Sequence, residues 1–448
     1  MSAPFPVPRL DFAAWQALAP AAAAGELIAR VEALPEAVRR PALPSLPPRE
    51  ELERRFAAAP ARAPLRGVPV LVKDLFDLAG EPTRAGSTFL PEVQPARAHP
   101  EDGAFCRDLR AAGAVLAGKT HMVEFAYGLG GQNAHTGDCV HPLHPDRVSG
   151  GSSSGSAVAV AAGLVPFAAA SDTGGSVRLP AAFCGIYGLR LSPYQSWIAD
   201  AVPLAPPCDT AGWFTATAVD MHAAMDALLP SAGLPPVPKP RQGRAEAGPT
   251  RGCFLAMPGL DRDVARACKA AAAQLAPPPE RKWRTALLES FAKAEAAYTV
   301  ITSLAAWEVH RPWFEAYRER YGPATRQLVE RGRNWTPEQV AAARAARDRI
   351  MRTWAEFFRD YDYLVLPAAP CVAPRRTEFT AEHRRRILEL TTPASLGGLP
   401  VLTLPLPVGR GEGALSAGLQ VVVENAQAPV LRSLLRQWEA VLTAQGGR

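Results

Sequence analysis

Residues 150–180 read GGSSSGSAVAVAAGLVPFAAASDTGGSVRLP, two Gly-Gly-Ser turns joined by a compact run of alanine and valine. A serine closes each glycine pair, Ser152 in the first turn and Ser176 in the second. A glycine pair lets the backbone take φ > 0 and come close to another group, with successive N–H groups exposed. A hydroxyl beside such donors is what acyl transfer needs: a nucleophile next to a place for the oxyanion. The run between the turns predicts a helix over 157–162, capped by the serines, and then a buried strand over 164–170. Asp172 and Arg178 flank the second turn, either as a pair that braces it or as two unrelated surface charges.

Upstream, Val68 to Asp74 read VPVLVKD, a short β run that ends in a lysine. The chain has 49 basic residues, and lysine occurs only at 73, 119, 239, 269, 282 and 293. Arginine keeps its proton inside proteins, whereas a buried lysine can lose it. Lys73 is therefore where an amine, rather than mere charge, is required; the bland alternative is a strand-end lysine reaching for water.

Taken together, GGSSSGSAVAVAAG at 150–163, SDTGGSVRLPAAFCG at 171–185 and VPVLVKD at 68–74 resemble the amidase signature family. The resemblance implies an α/β fold: a large twisted mixed β-sheet core covered by helices on both faces. It implies that Ser176 is the nucleophile and that Ser152, held by a cis peptide bond, relays its proton to Lys73. Thr173, Gly174, Gly175 and Ser176 would form the oxyanion hole, Tyr127, Gly128, Gly151 and Ser153 would bind substrate, and Asp172 and Arg178 would support the turn. No metal and no cofactor is implied, and the partner is a small-molecule amide, with a homodimer allowed. The stretch FAYGLGGQNAHTGD at 125–138 looks closest to the indole-3-acetamide hydrolase-like branch. The activity that follows is hydrolysis of a small or aryl-substituted carboxamide through an acyl-enzyme on Ser176. One alternative is the amidase subunit of a tRNA-dependent amidotransferase. Another is a non-catalytic amidase-like scaffold, which would lack the nucleophile or the lysine.

The 448 residues are read as a single amidase signature domain. It comprises N-terminal helices (1–64), a signature core (65–228), a Pro/Gly-rich excursion (229–250), a helical region shaping a substrate funnel (251–362), and closing strands with a C-terminal helix (363–448). Hydrophobic residues make up 48% and charged residues 21%, enough for a large core. A net charge of +6, with no basic stripe interleaved with aromatics, argues against nucleic acid. The longest apolar run, 157–170, is too short for a membrane span of about 20 residues. Seven scattered cysteines and an N-terminus without an apolar core point to a cytoplasmic protein.

Three patterns compete with this reading. GAVLAGKT at 113–120 satisfies the P-loop pattern, but a strand is expected between its glycines, where a P-loop needs a loop. His135, Cys139, His141, His144 and Asp146 imitate a metal-ligand cluster without paired knuckles or a helical HxxxH. Gly151 to Gly155 fits a GxSxG nucleophile elbow, which needs a strand immediately before it.

Overall fold

Strands form where β-branched and small apolar residues run without a break, and nearly all of them lie in one sheet. The computed structural model describes residues 7–43, 46–233, 250–409, 411 and 414–446. Most of the expected excursion over 229–250 lies outside those residues. The strands are β1 (Pro69–Lys73), β2 (Val115–Thr120), β3 (Phe167–Asp172), β4 (Tyr187–Arg190), β5 (Thr210–Thr215), β6 (Gly252–Phe254), β7 (Tyr363–Pro367), β8 (Val401–Leu404), β9 (Pro407–Val408), β10 (Leu415–Ser416) and β11 (Leu419–Val423). β9 and β10 pair with each other; the other nine form one sheet in the order β2-β1-β3-β5-β4-β8-β11-β7-β6. Its centre is antiparallel, whereas β2-β1-β3 on one flank and β7-β6 on the other are parallel.

Every residue of those nine strands is buried, as expected of a sheet covered on both faces. Side chains alternate between the two layers. Leu71 and Ala168 pack with Trp15, Leu27, Leu52 and Phe56 of the N-terminal helices, while Val70, Val72 and Ala169 pack with Phe76, Phe105 and Trp213 on the other side. The N-terminal helices span Phe12–Gln16, Pro20–Ala33, Glu36–Ala42 and Arg49–Ala57, within the helical region expected there. Among the described residues no helix is long and apolar enough to cross a membrane.

Several boundaries differ from the sequence expectations. The helix after the first glycine turn spans Ser154–Ala161, and no serine side chain caps it. The hydroxyls are used elsewhere: Ser156 Oγ donates to Ala169 O at 2.8 Å, and Ser153 Oγ to Ser171 O at 3.0 Å. Residues 381–397, inside the stretch expected to supply closing strands, form the helix Ala381–Gly397 instead. A capping box between Thr380 and His383 starts that helix, and Gly398 at φ 66° stops it. In the P-loop look-alike, Gly118, Lys119 and Thr120 all lie within β2, and Lys119 Nζ donates to Phe76 O at 2.6 Å. The GxSxG pattern has no strand before it.

Candidate active site

Lys73 is the last residue of β1, beside the C-terminal end of the parallel neighbour β3. The first glycine turn folds over that end, with a cis peptide bond between Gly151 and Ser152. Lys73 is fully buried, and its Nζ lies 2.8 Å from Ser152 Oγ, 2.9 Å from Ser153 Oγ and 2.8 Å from Ser171 Oγ. Three hydroxyls surround the amine, and among the described residues no carboxylate forms an ion pair with it. Burial lowers the Lys73 pKa to about 7, with Asp172 and Asp209 acting more weakly in the opposite direction.

The hydroxyls can be told apart by where their own protons go. Ser153 Oγ donates to Ser171 O, so it can only accept from Lys73. A charged ammonium offers three donors to three acceptors. A neutral amine offers two donors and a lone pair, so one hydroxyl must turn and donate to Nζ. That role falls to Ser152 or Ser171.

The second glycine turn connects β3 to the helix Arg178–Cys184. Asp172 shapes it, accepting from the N–H groups of Gly175 (2.8 Å), Val177 (2.9 Å) and Arg178 (3.2 Å). The pairing of Asp172 with Arg178 is present: Arg178 Nη2 donates to Oδ1 at 2.8 Å and Nε to Oδ2 at 3.0 Å, all of it buried. A second cation, Arg190, donates from Nη1 to Asp172 Oδ1 at 2.8 Å. Burial pushes the Asp172 pKa up, but the two guanidinium groups outweigh it and hold the carboxyl well below the usual range. Arg178 also donates to Gln420 Oε1 (3.0 Å) and Ser395 Oγ (2.7 Å), tying the turn to β11 and to the helix Ala381–Gly397.

Ser176 sits in this turn, 3% exposed, and among the described residues its hydroxyl has no hydrogen-bond partner. The link from Ser176 to Ser152 is thus not closed by a hydrogen bond. Of the four expected oxyanion donors, Gly175 is corrected: its N–H is taken by Asp172. Gly174 carries no side chain for a plain reason, since a Cβ there would lie 2.2 Å from Tyr298 Oη.

The expected substrate-binding residues separate. Ser153 is fully buried with its hydroxyl turned to Lys73 and Ser171, so it belongs to the lysine's surroundings and not to a substrate surface. Gly151 packs against Gly131, where a Cβ would come within 2.9 Å of the backbone nitrogen, and Gly128 packs against Val123. Tyr127 is buried, with its Oη in a polar cluster beside the helix Ala294–His310. In the loop that imitates a metal site, His141 Nε2 lies 3.0 Å from Phe183 O, and its Nδ1 accepts from Leu143 N at 3.1 Å. Among the described residues no group of three or more His, Cys, Asp or Glu side chains is placed to hold a metal.

Three functional neighbours escape a reading of the sequence. Ser171 lies inside the quoted motif but looks like any strand serine. Arg190 stands at the end of β4, far along the chain from the turn it braces. Tyr298 stands in a helical stretch whose aromatics read as core. Only Arg190 carries a signal, an arginine ending an apolar strand.

A family model described as amidase matches residues 45–428. Amidase 1 of Oryza sativa subsp. japonica is 32% identical over 393 residues, 80% of this chain and 88% of that protein. A glutamyl-tRNA(Gln) amidotransferase chain of Cupriavidus taiwanensis is 31% identical over 412 residues, 80% of each. A crystal structure of an amidase superposes with a TM-score of 0.79 at 30% identity, covering 95% of this chain and 96% of that one.

Proposed function

The chain belongs to the amidase signature family, hydrolases of carbon–nitrogen bonds, and from that premise we propose a Ser176–Ser152–Lys73 relay as its catalytic machinery. Ser176 Oγ attacks the amide carbonyl carbon and passes its proton to Ser152 Oγ, whose own proton moves to the lone pair of Lys73 Nζ. The N–H groups of Thr173, Gly174 and Ser176 hold the oxyanion, each worth on the order of 3 kcal/mol. The proton then returns to the leaving nitrogen, the C–N bond breaks, and an ester on Ser176 remains. Water cleaves the ester by the same route, giving a carboxylate and regenerating the serine.

One observation carries this reading: an amine fully buried among three hydroxyls, with a pKa of about 7. Such a group is neutral in about half of the molecules at neutral pH and can act as a base. The substrate proposed from the sequence is a small or aryl-substituted carboxamide, with indole-3-acetamide as a member of the class. The single-domain organisation, with 251–362 shaping the funnel, belongs to the same proposal; strands from residue 69 to residue 423 share one sheet, which supports it.

The test is labelling with a fluorophosphonate, followed by mass mapping and turnover of free amides by the isolated chain. We expect the label on Ser176, none in Ser176→Ala, and ammonia release without added subunits. A label on Ser153 would overturn the relay. Ammonia release that appears only when partner subunits are added would favour the amidotransferase reading, which the similarity to the Cupriavidus taiwanensis chain supports.

A further inference from the structure

The helix Ala294–His310 presses on the Ser176 turn through Tyr298, whose Oη blocks any side chain at Gly174. One turn further along the same face stands Thr302. The 3-10 turn Arg331–Asn334 is seated against this helix, because a Cβ at Gly332 would lie 2.1 Å from Ser303 O. Trp335 Nε1 secures it, donating to Ser303 Oγ at 2.7 Å. From the other side, the helix Ala381–Gly397 touches the Ser176 turn where Thr391 Oγ1 donates to Gly174 O at 2.6 Å. Arg384 precedes Thr391 by two helical turns on the same face, about 10 Å along the axis.

Five polar atoms in this region are buried without a well-formed hydrogen bond, Tyr127 Oη, Thr302 Oγ1, Arg331 Nε, Arg331 Nη2 and Arg384 Nε; Tyr127 faces Arg331 and Ser303, and Thr302 faces Tyr298. They share one neighbourhood. Burial raises the Tyr127 phenol, with Arg331 and Arg384 acting against it, and burial likewise raises Tyr298, with Arg384 acting against it. The neighbours of Arg384 behave differently: Arg385 pairs with Glu382 and Arg386 with Asp261. The buried Arg178 and Arg190 both pair with Asp172. Among the described residues neither Arg331 nor Arg384 has an ion-pair partner. Arg331 and Arg384 are half-buried, and N–H groups that are buried and left unpaired are costly. A planar guanidinium is best satisfied by a planar anion that takes two parallel hydrogen bonds.

We propose that Arg331 and Arg384, with Tyr127 and Thr302, form a carboxylate subsite, so that the preferred substrate is an amide that also carries a carboxylate. The proposal rests on Ser176 being the nucleophile and narrows the substrate class beyond a neutral carboxamide. Hydrolysis of the monoamide of a diacid consumes one water and gives ammonia and the dicarboxylate.

The experiment compares malonamate, succinamate, glutaramate and adipamate with neutral amides of equal chain length. At least one acid amide is expected to exceed its neutral counterpart by about 100-fold in kcat/KM. Arg331→Met and Arg384→Met should each remove most of that preference, chiefly through KM. Both should cost far more on the acid amide than on its neutral counterpart, and Ser176 should still take the fluorophosphonate. Equal losses on acid and neutral amides, or no acid preference in the wild type, would overturn the subsite. A binding measurement separates the two assignments: the dicarboxylates should raise the Tm of Ser176→Ala at constant ionic strength, and Arg331→Met should abolish the rise. A Tm rise alongside failed Ser176 labelling upholds the subsite and sinks the nucleophile; labelling without a Tm rise or an acid preference does the reverse.

Discussion

At the scale of single residues, the site turns on how an amine is kept uncharged. Among the described residues no carboxylate pairs directly with Lys73, and three serine hydroxyls satisfy either protonation state. Lys73→Met should lower kcat by several orders of magnitude at pH 7, measured as ammonia release, because among the described residues Lys73 is the basic side chain hydrogen-bonded to Ser152. Gly174→Ala should lose activity by at least about 100-fold, since Tyr298 Oη occupies the space a methyl needs and the turn must shift. Adding Tyr298→Phe, which removes the nearest atom, should restore part of the loss; no recovery would place the fault elsewhere. Lys73, Ser152 and Ser176 come out of the sequence through the family resemblance, and the structure brings Lys73 and Ser152 into hydrogen-bond contact. Ser171 and Tyr298 do not come out of the sequence, because their roles come from strands and helices meeting far along the chain.

At the scale of elements, the second glycine turn is held by a buried carboxylate with two guanidinium groups. Removing one member of such a set leaves an unpaired buried charge and costs about 3–5 kcal/mol. Asp172→Ala is expected to lose about that much in denaturant midpoints, and to lose activity with it because the Gly175, Val177 and Arg178 N–H groups lose their acceptor. An Asp172→Ala protein of unchanged stability would refute the bracing role. The Asp172–Arg178 half was foreseeable from six residues of sequence. The Arg190 half was not, because β4 comes beside the turn only through pairing with β5. Strand positions were legible in outline wherever Val, Leu and Ala ran together, but the expected capping is absent: the serines after Gly151 point at Lys73, Ser171, His121 and Ala169. A serine's preference for a helix start is worth only about 1 kcal/mol and yields to buried polar groups that need partners.

For the whole molecule, the buried amine ties stability to pH. An unfolded lysine titrates near 10.4, and the folded Lys73 near 7. Below about pH 7 both states hold the proton, and the folded protein bears the full cost of a buried ammonium, roughly 4–5 kcal/mol. Between about 7 and 10.4 the unfolded chain binds more protons, so this group's contribution rises with pH and the cost has gone above that range. Lys73→Met should flatten that rise; a stability difference from wild type that stays constant between pH 7 and 10 would contradict it. The mixed sheet was expected from the family resemblance, whereas its strand order was not, because β6, β7 and β8 are joined through helical stretches with no local signature. The most direct test of the central claim is the rate at which a fluorophosphonate labels Ser176 as a function of pH. The account predicts a rise with increasing pH through a midpoint of about 7 as Lys73 loses its proton. A rate that is flat from pH 5.5 to 9, or one that Lys73→Met leaves unchanged, would contradict it.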